Sequence, residues 1–511
     1  MKETPKSWLI LAVNTAAFTV CFMCWTMNGV LVTYLVDNGV FHWNAVQIGW
    51  LIGIPVLTGS LTRLPVGLLT DKYGGKPVYG VLLLVSALFM YLQGEANSYL
   101  GFVLGGLGFG LSGASFAVGI AYTSVWFSKE KQGTALGIFG VGNAGSAITS
   151  MGAPILLNYF TQQGAELDRW RYLPRVYALA LLVTGIIFFL VTENRTAPAA
   201  AKKSIGELLV PLKYTRVWRF GLYYFLVFGG FVALAQWLIP YYVNVYGMTV
   251  ATAGLTAAIF SFPSGVIRAI GGWMSDKWGA RAVMQWVLGL CLVCFALLII
   301  PRMDISSPGS GVMASLGGVV KEVGEDTIIV STALGDRKHV LVAKRGQQES
   351  TQAGPEGILI FPKSAFWQEP IVSVGDKVVK KQLLARGVTH IFFQANVWIF
   401  TFLVFIVGIT MGIGKAAVYR HIPDYFPNDV GVVGGMVGVL GGLGGFACPI
   451  IFGYLLQYTG LWTTCWMFFL ALTVVCVVWM HMVIRRLMKA EAPQAVKHIE
   501  DNSFVALREG A

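Results

Sequence analysis

Twelve apolar runs, each long enough to cross a bilayer, recur along this chain at 8–36, 46–70, 77–94, 99–126, 132–160, 173–192, 217–245, 250–273, 281–301, 392–414, 430–457 and 461–484. A hydrocarbon core needs about 20 apolar residues per crossing helix, so runs of this length and number restrict the chain to a helical membrane bundle. Composition agrees, since 56% of the 511 residues are apolar and 12% charged, where a soluble domain carries about 25% charge. Soluble enzymes, disordered scaffolds and disulfide-stapled secreted domains are thereby excluded. All 7 cysteines fall in apolar stretches. The two C-x-x-C pairs, Cys21/Cys24 and Cys291/Cys294, lack any His or charged neighbour, so packing is expected of them and no metal or redox centre. Met1 to Ser7 lead into the first run without an A-x-A cleavage pattern, which predicts a first membrane helix rather than a removable signal peptide.

Basic residues set the expected orientation. With the N-terminus in the cytoplasm, the segments predicted inside carry 20 Lys and Arg, and the short outside loops carry 3, namely Arg169, Arg171 and Arg175. The positive-inside rule then places both termini in the cytoplasm. The net charge of +12 is a topology signal and does not point to nucleic acid. The segment 304–390 breaks the pattern, alternating polar and β-branched residues between Gly-Asp and Gly-Pro turns, as in "DTIIVSTALGDRKHVLVAK". It predicts a small β domain outside the membrane. "VGDKVVKKQLLA" resembles the turn-and-strand pattern of barrel-sandwich hybrid domains without their modified-lysine motif, so no covalent cofactor is expected and the partner of the insert is unassigned.

An internal repeat organises the spans. "RLPVGLLTDKYGGK" from Arg63 matches "RAIGGWMSDKWGAR" from Arg268 in register, pairing Gly67 with Gly272, Asp71 with Asp276 and Gly74 with Gly279. The Gly-rich run Gly133–Gly145 likewise matches Gly434–Gly445, displaced further by about the length of the inserted segment. The expected architecture is an all-α membrane protein of twelve transmembrane helices in two six-helix repeats, with a small β-rich insert. Its predicted parts are an N-terminal bundle (1–192), a basic linker (193–216), a second bundle in two pieces (217–303 and 391–486), the insert (304–390) and a cytoplasmic tail (487–511). The two loops resemble the G-x-x-x-D-[RK]-x-G-x-[RK] motif of the major facilitator superfamily. In it Asp71 and Asp276 brace a neighbouring helix and Gly74 and Gly279 allow the tight turn.

Arg63 and Arg268 lie two helical turns before these aspartates, roughly 12 Å into the membrane. A cation at that depth costs about 2.5–3.5 kcal/mol even on the insertion scale. No Asp or Glu falls well inside a predicted span; Asp37, Asp71, Glu95, Glu193, Asp276 and Asp424 sit at ends or in loops. Two symmetry-related guanidinium groups without an acid point to an anionic cargo. The competing reading has both arginines snorkel to the surface or cap their own helices.

The Gly-rich fifth and eleventh spans, beside the two arginines, resemble those of the nitrate/nitrite porter family of the superfamily. The likeness covers all twelve spans but not the insert. It implies an anion clamp of Arg63 and Arg268, with Asn143 as a polar ligand and Phe116 as an aromatic wall. Gly140, Gly142, Gly441 and Gly444 are gating candidates, with tight helix packing as the plainer alternative. Tyr223, Tyr224, Phe228 and Phe231 of the seventh span are left unplaced. Lys415 in "GIGKAAVYRHIPDYFP" stands where the exchanger branch has a neutral residue, and so looks like the nitrate/proton symporter branch. Lys415 is either a coupling residue or a cytoplasmic cap at a helix end.

The expected function is secondary active transport of nitrate or nitrite by alternating access, with symport favoured over antiport, in a bacterial cytoplasmic membrane. Its partners would be the anion, a proton or counter-anion, and lipid. No Walker A pattern, metal cluster or catalytic constellation is present in the sequence, so neither a cofactor nor an enzyme is expected. A porter of another small anion, or a non-transporting sensor using the insert, is the alternative.

Overall fold

The computed structural model describes residues 4–196, 210–300, 303–343, 363–393, 395–426 and 430–491. They form two compact units, a helical one from Met1–Asn244, Met248–Ile299 and Thr401–Ala511, and a second from Val245–Gly247 and Ile300–Phe400. The expected tail, 487–511, and most of the linker lie largely outside the described residues.

Among the described residues, 10 helices are long and apolar enough to cross a membrane, and 11 if a bent pair counts as one span. The expected fifth apolar span is broken. Residues 132–160 do not form one continuous α-helix: helix Lys129–Gly140 ends in a 3-10 turn, Val141–Ala144, before helix Gly145–Phe160 begins. Glycines at 140, 142 and 145 explain the break, because each costs helix stability and removes a side chain that would fix the turn.

Other spans break where the arginines stand. Helix Ala45–Leu61 stops at Thr62 and resumes as Arg63–Tyr73. Helix Val250–Val266 stops at Ile267 and resumes as Arg268–Trp278 with a bend of 45°. Pro55 and Pro263, one or two turns upstream, each remove a backbone donor and loosen the ladder ahead of the break. Both second segments end on a glycine in the left-handed region, Gly74 at φ 89° and Gly279 at φ 84°. The seventh span runs Thr215–Tyr224, then a π turn Phe225–Gly229, then Gly230–Tyr246. π turns re-aim side chains, and this one carries Phe228.

The two halves meet through glycine. At the end of the bundle away from the Asp–Lys loops, a Cβ on Gly49 would collide with the Pro449 carbonyl, and one on Gly254 with that of Ser150. A Cβ on Gly53 would sit 2.7 Å from the Phe446 oxygen. Small residues let these backbones touch. Towards the Asp–Lys loops, Gly137 and Gly272 have no such neighbour within 4 Å. At the rim of the sealed end, Thr33, Asp37, Trp43, Trp237, Asn244 and Trp462 line a cavity of about 230 Å³.

The second unit is β-rich. Strands β1 (Met303–Met313), β7 (Leu383–Phe393) and β5 (Lys363–Pro370) form one antiparallel sheet in the order β1-β7-β5. Strands β2 (Gly318–Val323), β3 (Thr327–Thr332), β4 (Gly335–Val340) and β6 (Lys377–Val378) form another, ordered β4-β3-β2-β6. Alternation places Ile328 and Val330 of β3 inward, where they pack with Val320, Leu341 and Leu384. The described strands span slightly more than the expected 304–390.

Candidate anion site

Arg63 begins its helix at the Thr62 break and is 3% exposed. Its Nε donates to the Gly113 carbonyl at 3.4 Å, and Nη1 to the Gly438 carbonyl at 2.9 Å. Nη2 is buried without a partner. Arg268, at the equivalent break, is half-buried and has a buried, unpartnered Nη1. Among the described residues no carboxylate pairs with either. The acids at the motif go elsewhere: Asp276 binds Arg420 at 2.6 Å, and Asp71 has no described ion pair. Burial and internal hydrogen bonding remove the snorkelling reading for Arg63.

Aromatic faces surround the two cations. The Phe116 ring centroid lies 5.3 Å from Cζ of Arg63 and 5.2 Å from that of Arg268, so one ring serves both. Arg63 also lies 4.9 Å from the Phe228 ring and 5.5 Å from Trp25, and Arg268 lies 5.7 Å from Tyr419. Phe228 stacks on Phe116 at 6.4 Å and on Tyr224 at 4.9 Å. A desolvated cation–π contact contributes about 0.5–2 kcal/mol. Three around Arg63 therefore match the cost of its depth, about 2.5–3.5 kcal/mol, without neutralising it. The site keeps its positive potential and two unpartnered N–H groups, a donor set suited to a small anion.

Each arginine reaches the glycine-rich helix of the opposite half. Arg63 bonds Gly438, and the absent side chain of Gly140 makes room for Arg268, whose Cδ would lie 3.3 Å from a Cβ there. Asn143, fully buried in the 3-10 turn, donates through Nδ2 to the Gly140 carbonyl at 2.8 Å and keeps an unpartnered Oδ1. Asn143 thus caps the helix end that faces Arg268. The other candidate glycines pack within their own halves: Gly142 against Phe18, Gly441 against Tyr224, and Gly444 against the Phe225 carbonyl. At these three the geometry is that of close helix contact, and none lies against an arginine.

Of the two roles expected of Lys415, the helix-end cap does not fit its place in the fold. It lies inside helix Val397–Tyr425 and is fully buried, so it does not cap the helix end. Its Nζ donates to the Ser264 carbonyl at 3.4 Å and sits 3.2 Å from the Phe231 centroid. Ser264 is one turn before Arg268 on the same span. Of the seventh-span aromatics, Tyr224 and Phe228 join the arginine site and Phe231 lies under Lys415. Tyr223 belongs to a separate pocket at the end of the bundle. Trp25 and Tyr419 were not among the expected site residues. Tyr419 stands four residues after Lys415 on the same helix face, a spacing that was readable; an isolated Trp in an apolar span carries no such signal.

The major facilitator superfamily profile matches residues 15–324 and 383–508, passing over the middle of the β-rich unit. The chain is 35% identical over 495 residues to a probable nitrate/nitrite antiporter, NarK1, of Thermus thermophilus, covering 96% of this chain and 95% of the relative. It is 24% identical to a nitrite extrusion protein of Bacillus subtilis, covering 88% of each. Among solved structures, a bacterial homolog of the human lysosomal transporter Spinster, inward-facing and occupied, superposes with a TM-score of 0.61 at 13% identity, over 95% of this chain and 98% of that one. The nucleoside transporter NupG does so with a TM-score of 0.60 at 11% identity, over 93% and 99%. At such identities these two likenesses carry the fold alone.

Proposed function

This chain belongs to the major facilitator superfamily and, within it, to the nitrate/nitrite porter family, and we propose that it moves nitrate or nitrite by alternating access around Arg63 and Arg268. It is a multi-pass membrane transporter and not an enzyme. The observation that carries the site is the pair of guanidinium groups on one Phe116 ring, each with a buried unpartnered nitrogen and neither with a described carboxylate. A planar anion offers in-plane oxygens to two forks and π faces to the flanking rings, whereas a tetrahedral phosphate asks for more donors.

Alternating access needs two halves that close at one end while opening at the other. The glycine contacts at Gly49, Gly53 and Gly254 supply a closed end, which leaves the Asp–Lys end as the one to open. The charge of the linker and motif loops supports a cytoplasmic Asp–Lys end, and with it the reading of both termini inside and the β-rich segment outside a bacterial inner membrane.

Proton coupling is the finer reading. It rests on Lys415, a buried amine with no described carboxylate, placed one helix away from Arg268. Exchange of nitrate for nitrite is the second reading, favoured by the likeness to the Thermus thermophilus protein named a probable antiporter. Uptake of labelled nitrate into proteoliposomes tests the site. Arg63→Ala, Arg268→Ala and both lysine replacements should abolish it, because a point charge cannot make a planar fork. Wild-type uptake in all four variants would remove the clamp.

A further inference from the structure

A second cationic pocket lies away from the anion site, where the seventh, ninth, tenth and twelfth spans end. Arg219 is 8% exposed and has no described hydrogen bond, and the Tyr223 hydroxyl beside it is buried and unpartnered. Its charged neighbours are Arg216 and Arg281, both of its own sign. Arg281 donates to the Tyr425 hydroxyl at 2.7 Å, and Arg216 lies 4.7 Å from the Tyr425 ring. Phe220 stacks on His421 at 5.3 Å and closes one side. Among the described residues no carboxylate pairs with these three arginines. The remaining wall is apolar, formed by Met480, Val483 and Ile484 of the last helix.

Two like charges gathered beside a buried, hydrogen-bond-poor guanidinium repel it and one another unless an anion joins them. The cavity is about 20 Å³, room for one water-sized group. It therefore admits the tip of an anion whose bulk lies outside. Its depth is that of helix ends, at the membrane surface, and its apolar wall runs along a helix into the hydrocarbon. We propose that this pocket binds the phosphate of an anionic phospholipid, with phosphate oxygens on Arg219 and Arg281 and the glycerol and acyl chain against Met480, Val483 and Ile484. Basic pockets between transmembrane helices at such depth suit lipid headgroups. The site stands apart from the transported anion and does not depend on that reading.

The test uses the purified full-length protein in neutral detergent, titrated with short-chain phosphatidylglycerol, phosphatidylcholine or sodium phosphate and read by native mass spectrometry and melting temperature. Phosphatidylglycerol should bind and raise the melting temperature, and the other two should not. Arg219→Gln and Arg281→Gln should each weaken phosphatidylglycerol binding by about fivefold or more. Arg219→Lys, which keeps the charge, should retain most of it, and Arg175→Gln, at the opposite end of the bundle, all of it. A melt without lipid reports whether each variant folds. Equal phosphatidylglycerol binding by wild type and both glutamine variants overturns the proposal. So does an equal response to phosphatidylcholine, and an equal response to phosphate overturns the lipid assignment.

Discussion

Replacing Phe116 with leucine keeps most of the side-chain volume and removes the ring that both arginines face. The two Cζ atoms lie 5.3 and 5.2 Å from its centroid, so they are at most about 10 Å apart. At an effective dielectric of about 20, like charges at that separation repel by about 1.7 kcal/mol or more. Two cation–π contacts of about 1 kcal/mol each offset this repulsion. Without them, the less buried Arg268 is free to swing away and the paired forks are lost. A deficit of about 2 kcal/mol corresponds to roughly 30-fold weaker nitrate affinity. The measurement is a nitrate titration of purified Phe116→Leu by thermal shift, with proteoliposome uptake alongside. Phe139→Leu is the control, since Phe139 stacks on Phe18 at 4.7 Å and faces Phe116 at 6.1 Å but contacts neither arginine. It should lose packing energy, under about 1.5 kcal/mol, and no nitrate affinity. Equal affinities for wild type and Phe116→Leu, or equal losses in both variants, refute the shared-ring argument.

Three further outcomes are expected. Gly49→Ala forces its helix off the Pro449 carbonyl, so a thiol introduced by Ala45→Cys should react at least several-fold faster with an impermeant reagent than in the Gly49 background; an unchanged rate contradicts the seal. Lys415→Met should abolish nitrate uptake driven by a pH gradient, and a variant that keeps pH-driven uptake removes Lys415 from coupling. Val330→Asp buries a charge in the core of the β-rich unit at a cost of several kcal/mol, so that unit should become protease-sensitive. Nitrate flux should persist in it, and loss of flux with an intact helical melt would make the β-rich unit part of the transport cycle.

The sequence displayed the periodic features well. Long apolar runs, the two Asp–Lys loops and the equivalent positions of Arg63 and Arg268 are one-dimensional patterns, legible because bilayer thickness and duplication impose them. The glycines of the fifth span were legible but its break was not, because the equally Gly-rich eleventh span runs as one helix, Val430–Thr459, while this one passes through a 3-10 turn. The Arg63–Gly438 bond joins residues separated by 375 positions and leaves no local trace. Trp25 and Phe228 were hidden for a different reason: aromatic residues are the ordinary filling of a membrane helix, so their types mark nothing. Lys415 was visible, but its depth was not, since the apolar run before it was expected to end at 414 and the helix continues to Tyr425.

The Arg63–Gly438 hydrogen bond has a mechanical consequence. Its donor belongs to one repeat and its acceptor to the other, so rocking the repeats apart at this level strips a guanidinium nitrogen of its carbonyl. In a medium without water the lost bond would cost several kcal/mol unless another oxygen replaced it. Under the proposed reading, an oxyanion resting on Arg63 is such a replacement, and the passenger itself would be the release catch for the turnover step.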